Sequence, residues 1–187
     1  KLFRAYQNVL LYKPDLQASC DSLIYSEIDS MMYFMQEPII WSDENQLTGK
    51  SIKIRTHEGI IDKLFINKKA TIISEADSLL NYNQIQGKTI EGLFNKDNKL
   101  ETIFVRGNGE VLYFMGEDQK PTTDINHTQC AEMKITLKEN EIDKIKFYSK
   151  PTASMKAIID VIETDRKLSN FNWDLSKRPY SYEDLID

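Results

Sequence analysis

The chain of 187 residues is poor in what most function classes need. Two cysteines are too few for a disulfide scaffold. The two histidines, His57 and His127, have no Cys, Asp or second His at metal-ligand spacing, so neither a metal site nor a cofactor is expected. No apolar run approaches the ~18 residues of a membrane-spanning helix. A net charge of -5 leaves no basic excess for a nucleic-acid backbone, and no nucleic-acid partner is expected. Ala, the best helix former, occurs 7 times against 22 Ile, and Gly 7 times against 9 Tyr and 8 Phe. Ile, Tyr and Phe fit a pleated, half-buried surface, so the composition points to a mainly β chain. Hydrophobic residues make up 41%, enough to bury a core.

What the sequence does contain is a repeat. Ile28-Asp29-Ser30-Met31-Met32-Tyr33 recurs in kind as Ile61-Asp62-Lys63-Leu64-Phe65-Ile66, Leu100-Glu101-Thr102-Ile103-Phe104-Val105 and Ile142-Asp143-Lys144-Ile145-Lys146-Phe147. Before each lies a segment opened by a small residue: Cys20, Gly49, Gly87 or Cys130. Both segments alternate with period 2, and polar turns separate them: Ser26-Glu27, His57-Glu58-Gly59, Asn95-Lys96-Asp97-Asn98 and Lys138-Glu139-Asn140-Glu141. Each pair therefore reads as a β-hairpin. A third apolar element follows most hairpins, as Ile39-Ile40-Trp41, Ile72-Ile73 or Val111-Leu112-Tyr113. The opening Asn8-Val9-Leu10-Leu11-Tyr12 matches this third element, which predicts a chain that continues upstream.

A lone hairpin cannot bury its apolar face, so the hairpins are expected to stack into a sheet folded into two walls of about five rows, with a lining roughly 20–25 Å long. The residues expected on the inner face are Leu23, Tyr25, Met31, Tyr33, Ile52, Ile54, Leu64, Ile66, Ile90, Ile103, Val105, Met133, Ile135, Ile145 and Phe147. The other face carries Lys53, Lys63, Glu91, Lys134, Lys144 and Lys146, with Phe65 and Phe104 as exceptions. Closed walls would make this a plain sandwich core; splayed walls would make it an apolar groove. The repeats occupy residues 1–151, and residues 152–187 form a C-terminal helix and capping tail, because Met155, Ile158, Ile159 and Ile162 fall on one helical stripe.

No catalytic arrangement stands out, and the chain is not expected to be an enzyme. The acids Asp29, Asp62, Glu101 and Asp143 recur once per repeat, as strand starts do, whereas catalytic carboxylates come as a specific pair. Gly107-Asn108-Gly109 reads as a hairpin turn, since no helix follows to make it a phosphate loop. Asp43-Glu44-Asn45 and Glu117-Asp118 read as solvated turns.

Several runs carry a family resemblance: Ala5-Tyr6-Gln7-Asn8-Val9-Leu10-Leu11-Tyr12-Lys13-Pro14-Asp15-Leu16, Glu37-Pro38-Ile39-Ile40-Trp41-Ser42, Asn45-Gln46-Leu47-Thr48-Gly49, Asn83-Gln84-Ile85-Gln86-Gly87-Lys88, Phe171-Asn172-Trp173 and Arg178-Pro179. The sequence resembles the OstA-like proteins of lipopolysaccharide transport in their Bacteroidetes-type form. The resemblance implies a twisted two-walled β-jellyroll, open like a folded taco, to which the tail spacing adds a short C-terminal helix. It implies a periplasmic, non-enzymatic carrier that holds lipopolysaccharide acyl chains between its walls, on the inner-face residues above. It also implies partners that stack by their edge strands, either further OstA-like modules or other transport components. The rival expectation is a structural or interaction module with a closed, dry core.

Overall fold

The structure is a computed structural model; it describes residues 1–97, 99–116, 121–139 and 141–186, without the side chain of Glu141. The expected turn at Glu117-Asp118, and Asn98 and Asn140 in two of the repeat turns, lie outside the described residues.

The strands run as β1 (Leu2–Lys13), β2 (Leu16–Ser26), β3 (Met31–Met35), β4 (Ile39–Ser42), β5 (Asn45–Thr48), β6 (Ser51–His57), β7 (Ile60–Glu75), β8 (Tyr82–Phe94), β9 (Leu100–Met115), β10 (Asp124–Lys138), β11 (Glu141–Tyr148) and β12 (Thr152–Ala157). All pairings are antiparallel. The long strands do not end where one wall stops. β1, β2, β7, β8, β9 and β10 each bend midway and continue into the other wall, while β3 with β4, β5 with β6, and β11 with β12 make the same crossing in two pieces. Wall 1 holds the halves nearest Leu11, Ala18, Ile40, Leu47, Ile72, Ile85, Val111, Thr128 and Ala153; wall 2 holds the rest. Each wall thus has nine strands, about 38 Å at the usual strand spacing, rather than five. The expected count was low because each hairpin supplies two strands to wall 2, while the apolar element after it and the segment leading into the next hairpin supply two to wall 1.

The bend has a backbone signature. On alternate strands two successive residues take left-handed backbone: Gln7 and Asn8, Gln36 and Glu37, Lys68 and Lys69, Gly107 and Asn108, Ser149 and Lys150, all with φ between 53° and 76°. Such a residue other than Gly costs roughly 1–2 kcal/mol, so the packing of both walls must hold the pairs in place. Gly107-Asn108-Gly109 is therefore a corner inside β9, not the hairpin turn expected from its composition. On the strands between, the corner falls at the small residues. A Cβ on Gly49 would lie 2.5 Å from Ile66 Cγ2, and one on Gly87 2.5 Å from Val105 Cγ1. Cys20 and Cys130 occupy the same place toward the two ends of the sheet, where each Sγ–H donates to a carbonyl two residues on, Ser22 O and Glu132 O.

The C-terminal segment departs most from expectation. The helical stripe over 154–166 does not form: Thr152–Ala157 is strand β12, paired with β10, and single 3₁₀ turns follow at Ile158–Asp160 and Glu163–Arg166. Met155, Ile159 and Ile162 are exposed. The open edge of β10 overrides the helical spacing even though Ala153, Met155, Lys156 and Ala157 are good helix formers, since pairing satisfies the backbone of both strands. Nor does the tail cap the end of the stack. It crosses the outer face of wall 1 as a strap. Leu112, Phe114 and Ile125 of the sheet form a second small core with Val161 and Leu168 of the strap.

Glutamines on that face hold the strap by its backbone. Gln84 donates to Arg166 O (2.8 Å) and accepts from Leu168 N (2.7 Å). Gln86 accepts from Asn170 N (3.2 Å), and Gln46 donates to Asn172 O and accepts from Asp174 N (2.8 Å). Gln17 accepts from the Arg178 guanidinium at 2.7 and 3.0 Å. Tyr82 packs on Phe171 and Trp173, and Tyr12 on Tyr182.

Candidate functional site

The interior between the walls is the candidate site. Strand register builds its lining in continuous rows that cross every strand. In wall 2 one row runs Ala5, Leu23, Phe34, Ile52, Ile66, Ile90, Val105, Met133, Phe147. The next runs Phe3, Tyr25, Met32, Ile54, Leu64, Gly92, Ile103, Ile135, Ile145. Leu23, Tyr25, Ile52, Ile54, Leu64, Ile66, Ile90, Ile103, Val105, Met133, Ile135, Ile145 and Phe147 all stand in these rows, on the face expected of them.

Met31 and Tyr33 do not. They lie on the outer face, where Lys53 Nζ sits 5.5 Å from the Tyr33 ring centre and the Tyr33 hydroxyl donates to Asp29 (2.9 Å). Met32 and Phe34 take the inner places, opposite Ile54 and Ile52. The first repeat turns one residue later than the others: Ile28 is 94% exposed in the turn, whereas its counterpart Ile61 is buried in β7. A one-residue slip exchanges the faces of a strand.

Wall 1 supplies the opposing row of Leu11, Ala18, Ile40, Leu47, Ile72, Ile85, Val111, Thr128 and Ala153, none of which was in the expected lining. For Leu11, Ile40, Ile72 and Val111 the signal was the third apolar element of each repeat; Ala18, Leu47, Ile85, Thr128 and Ala153 lie outside it. That element was visible in the sequence but carried no sign of which wall it joined.

The two linings meet. Ile52, Val105 and Ile135 are fully buried, and Leu64, Ile66, Ile90 and Met133 nearly so. Toward the mouth the contact loosens into a cavity of about 140 Å³. Its apolar sides are Leu47, Ile72, Ile85 and Val111 from wall 1 and Phe94, Leu100, Ile103, Leu137 and Ile142 from wall 2. Ser42, Asn45, Ser74 and Asn83 give its rim hydroxyls and amides. A cavity of that size accommodates a benzene-sized molecule, not a long acyl chain, so a longer guest requires the walls to part.

Among the described residues the inner rows carry no acid or base, and Asp43 stands at the rim of the cavity. Burial pushes the Cys20 thiol up to about 11 and raises Cys130 as well, which leaves both as inert small core residues. Two of the recurring acids are engaged at the wall 2 rim, Asp62 paired with Arg55 and Asp29 accepting from Tyr33. The strongest titratable cluster lies on the outer face of wall 1. There burial raises Glu110, but donors on Gln129, His127 and Gln86 outweigh it and hold the carboxyl below its ordinary value. Among the described residues no three of His, Cys, Asp or Glu converge to hold a metal.

The chain shares its fold with LptH of Pseudomonas aeruginosa. LptH is described as the LptA-homologous periplasmic component of the conserved lipopolysaccharide transport device. The match has a TM-score of 0.56 at 10% identity and covers 77% of this chain and 98% of LptH. The two-walled β-jellyroll is thereby shown, and about a quarter of this chain has no aligned counterpart in LptH. No family model matches the chain, and no curated protein matches it.

Proposed function

We propose that the chain is a non-enzymatic lipid-carrier module of lipopolysaccharide transport, working in the periplasm on the route to the outer membrane. The observation that carries this reading is an apolar lining, continuous over nine strands between two walls, on a fold like that of LptH. A carrier of this kind has a clear physical task. Each buried CH₂ is worth ~0.8 kcal/mol, so an acyl chain of about a dozen carbons costs on the order of 10 kcal/mol to hold in water. The loosest part of the interior, between Leu100, Leu137 and Val111, is where a chain would first enter. The sheet ends at β1 on one side and at β11 and β12 on the other, and these edges suit head-to-tail addition of further modules.

Photo-crosslinking tests this reading. Probes at Ile103 and Leu137 should form lipopolysaccharide adducts, and a probe at the outward Lys53 should not. Equal labelling at all three, or none inside, removes the carrier role. The near-complete burial of Ile52, Val105 and Ile135 favours a second reading, a structural module whose core stays closed. That reading predicts no interior adducts and unchanged stability with added lipid.

A further inference from the structure

The outer face of wall 2 is not explained by a lipid in the interior. Among the described residues, five cations on it have no acidic partner: Arg4, Lys53, Lys134, Lys144 and Lys146. Three more, Arg55, Lys63 and Arg106, pair with Asp62 or Glu91. Among the described residues, four carboxylates are placed with them: Glu91 and Glu132 stand in the same outward rows, Asp62 pairs with Arg55, and Asp29 accepts from the outward Tyr33. The whole chain has 24 basic and 29 acidic residues, so eight against four here leaves 16 against 25 elsewhere. The molecule is thus strongly polarised, with one basic sheet face on an acidic body.

The charge is densest on three neighbouring strands, β9 to β11. Lys134 and Lys146 are direct cross-strand partners, and Lys144 follows two residues from Lys146 on the same side. Like charges placed directly opposite destabilise a sheet, so this arrangement is held against its own repulsion. Phe104 lies beside them, with Arg106 at 5.3 Å and Lys134 at 5.4 Å from its ring centre. Tyr148, in the next outward row of β11, is 46% exposed.

We propose that this face is a docking surface for a membrane that carries anionic headgroups. The lysines spread over a patch rather than along one track, as contact with a plane requires. Sheets twist, so a plane meets only neighbouring strands, and the charge is concentrated on three of them. Phe104 and Tyr148 set aromatic groups among the cations, at the depth of headgroups. A single-stranded nucleic acid suits the face less well, because bases stack on open aromatic faces and cations already cover the rings of Phe104 and Tyr33. The acidic body orients the molecule, since it is repelled from the same membrane. The inference is independent of what the interior holds.

Vesicle co-sedimentation of the full chain tests it. Vesicles of phosphatidylglycerol in phosphatidylcholine should bind the protein, phosphatidylcholine alone should not, and binding should fall with salt. Lys134→Glu, Lys144→Glu and Lys146→Glu together should weaken binding by roughly 100-fold or more, at about tenfold per 1.4 kcal/mol and about 1 kcal/mol per basic residue at the surface. The same three changed to Arg should keep it. Lys146→Glu alone replaces a like-charge pair by an opposite one, so its melting temperature should hold or rise while binding falls. Absence of binding to anionic vesicles at low salt would overturn the proposal, as would binding indifferent to the triple change. So would tighter binding to an oligonucleotide than to vesicles, or a dimer that the triple change dissociates.

Discussion

Gln46→Ala tests whether the strap is held by side-chain amides or merely rests on wall 1. Gln46 is fully buried, and its amide serves three partners: Asn172 O, Asp174 N and Trp41 Nε1. Alanine removes all three bonds together. Trp41 is itself fully buried, so its indole N–H would be left without a partner, at about 1–3 kcal/mol. The two strap groups lie nearer to water and can be rehydrated, so each loses only about 0.5–1.5 kcal/mol. The sum is about 2–6 kcal/mol, a large part of the 5–15 kcal/mol that holds a typical domain. Urea denaturation should show a lower midpoint, and hydrogen exchange should show lost protection at Leu168, Asn170 and Asp174 first. Gln46→Glu should do no better, because it keeps the acceptor and sets a carboxylate against the carbonyl of Asn172. A loss under about 1 kcal/mol with unchanged exchange in the strap would refute the reasoning.

Two further predictions concern the corner and the wall 1 mouth. Gly87→Ala places a methyl group 2.5 Å from Val105 Cγ1 and should cost about 1–3 kcal/mol; adding Val105→Ala should recover at least about 1 kcal/mol of coupling in a double-mutant cycle. Burial raises the Asp77 carboxyl, but hydrogen bonds from Thr122, Asn81 and Leu79 outweigh it and hold the group at about 2. A depressed pKa stabilises the folded state above the unfolded value and loses that contribution as pH falls from about 4 to about 2. Asp77→Asn should therefore lower stability by about 1–2 kcal/mol at neutral pH, allowing for solvent screening, and the difference between the two melting curves should vanish near pH 2.

Much of wall 2 was legible because its signal is local. Ile52 with Ile54, Ile103 with Val105 and Met133 with Ile135 alternate with period 2, and a repeated alternation names a face without knowledge of the partner strand. The failures came where one residue of register decides the outcome. Met31 and Tyr33 were placed by their likeness to Leu64 and Ile66, but the longer first turn moved them outward. The corner was hardly legible. Gln36-Glu37, Lys68-Lys69 and Ser149-Lys150 hold left-handed backbone with residues that carry no strong turn signal. Only Gly107-Asn108 advertised itself, and composition alone made it a hairpin. The strap was misread because Ile158, Ile159 and Ile162 have helical spacing, while the bonds that extend the segment come from glutamines more than 80 residues away.

The sequence by itself determined a β repeat and its apolar face, because alternation and composition act over a few residues. Tertiary structure alone decided that each strand serves two walls, that these close on one another except for a cavity near the mouth, and that the tail crosses wall 1 instead of ending the stack. Those features depend on backbone bends stabilised by packing from both sides and on hydrogen bonds between distant residues, and neither leaves a periodic mark in the chain.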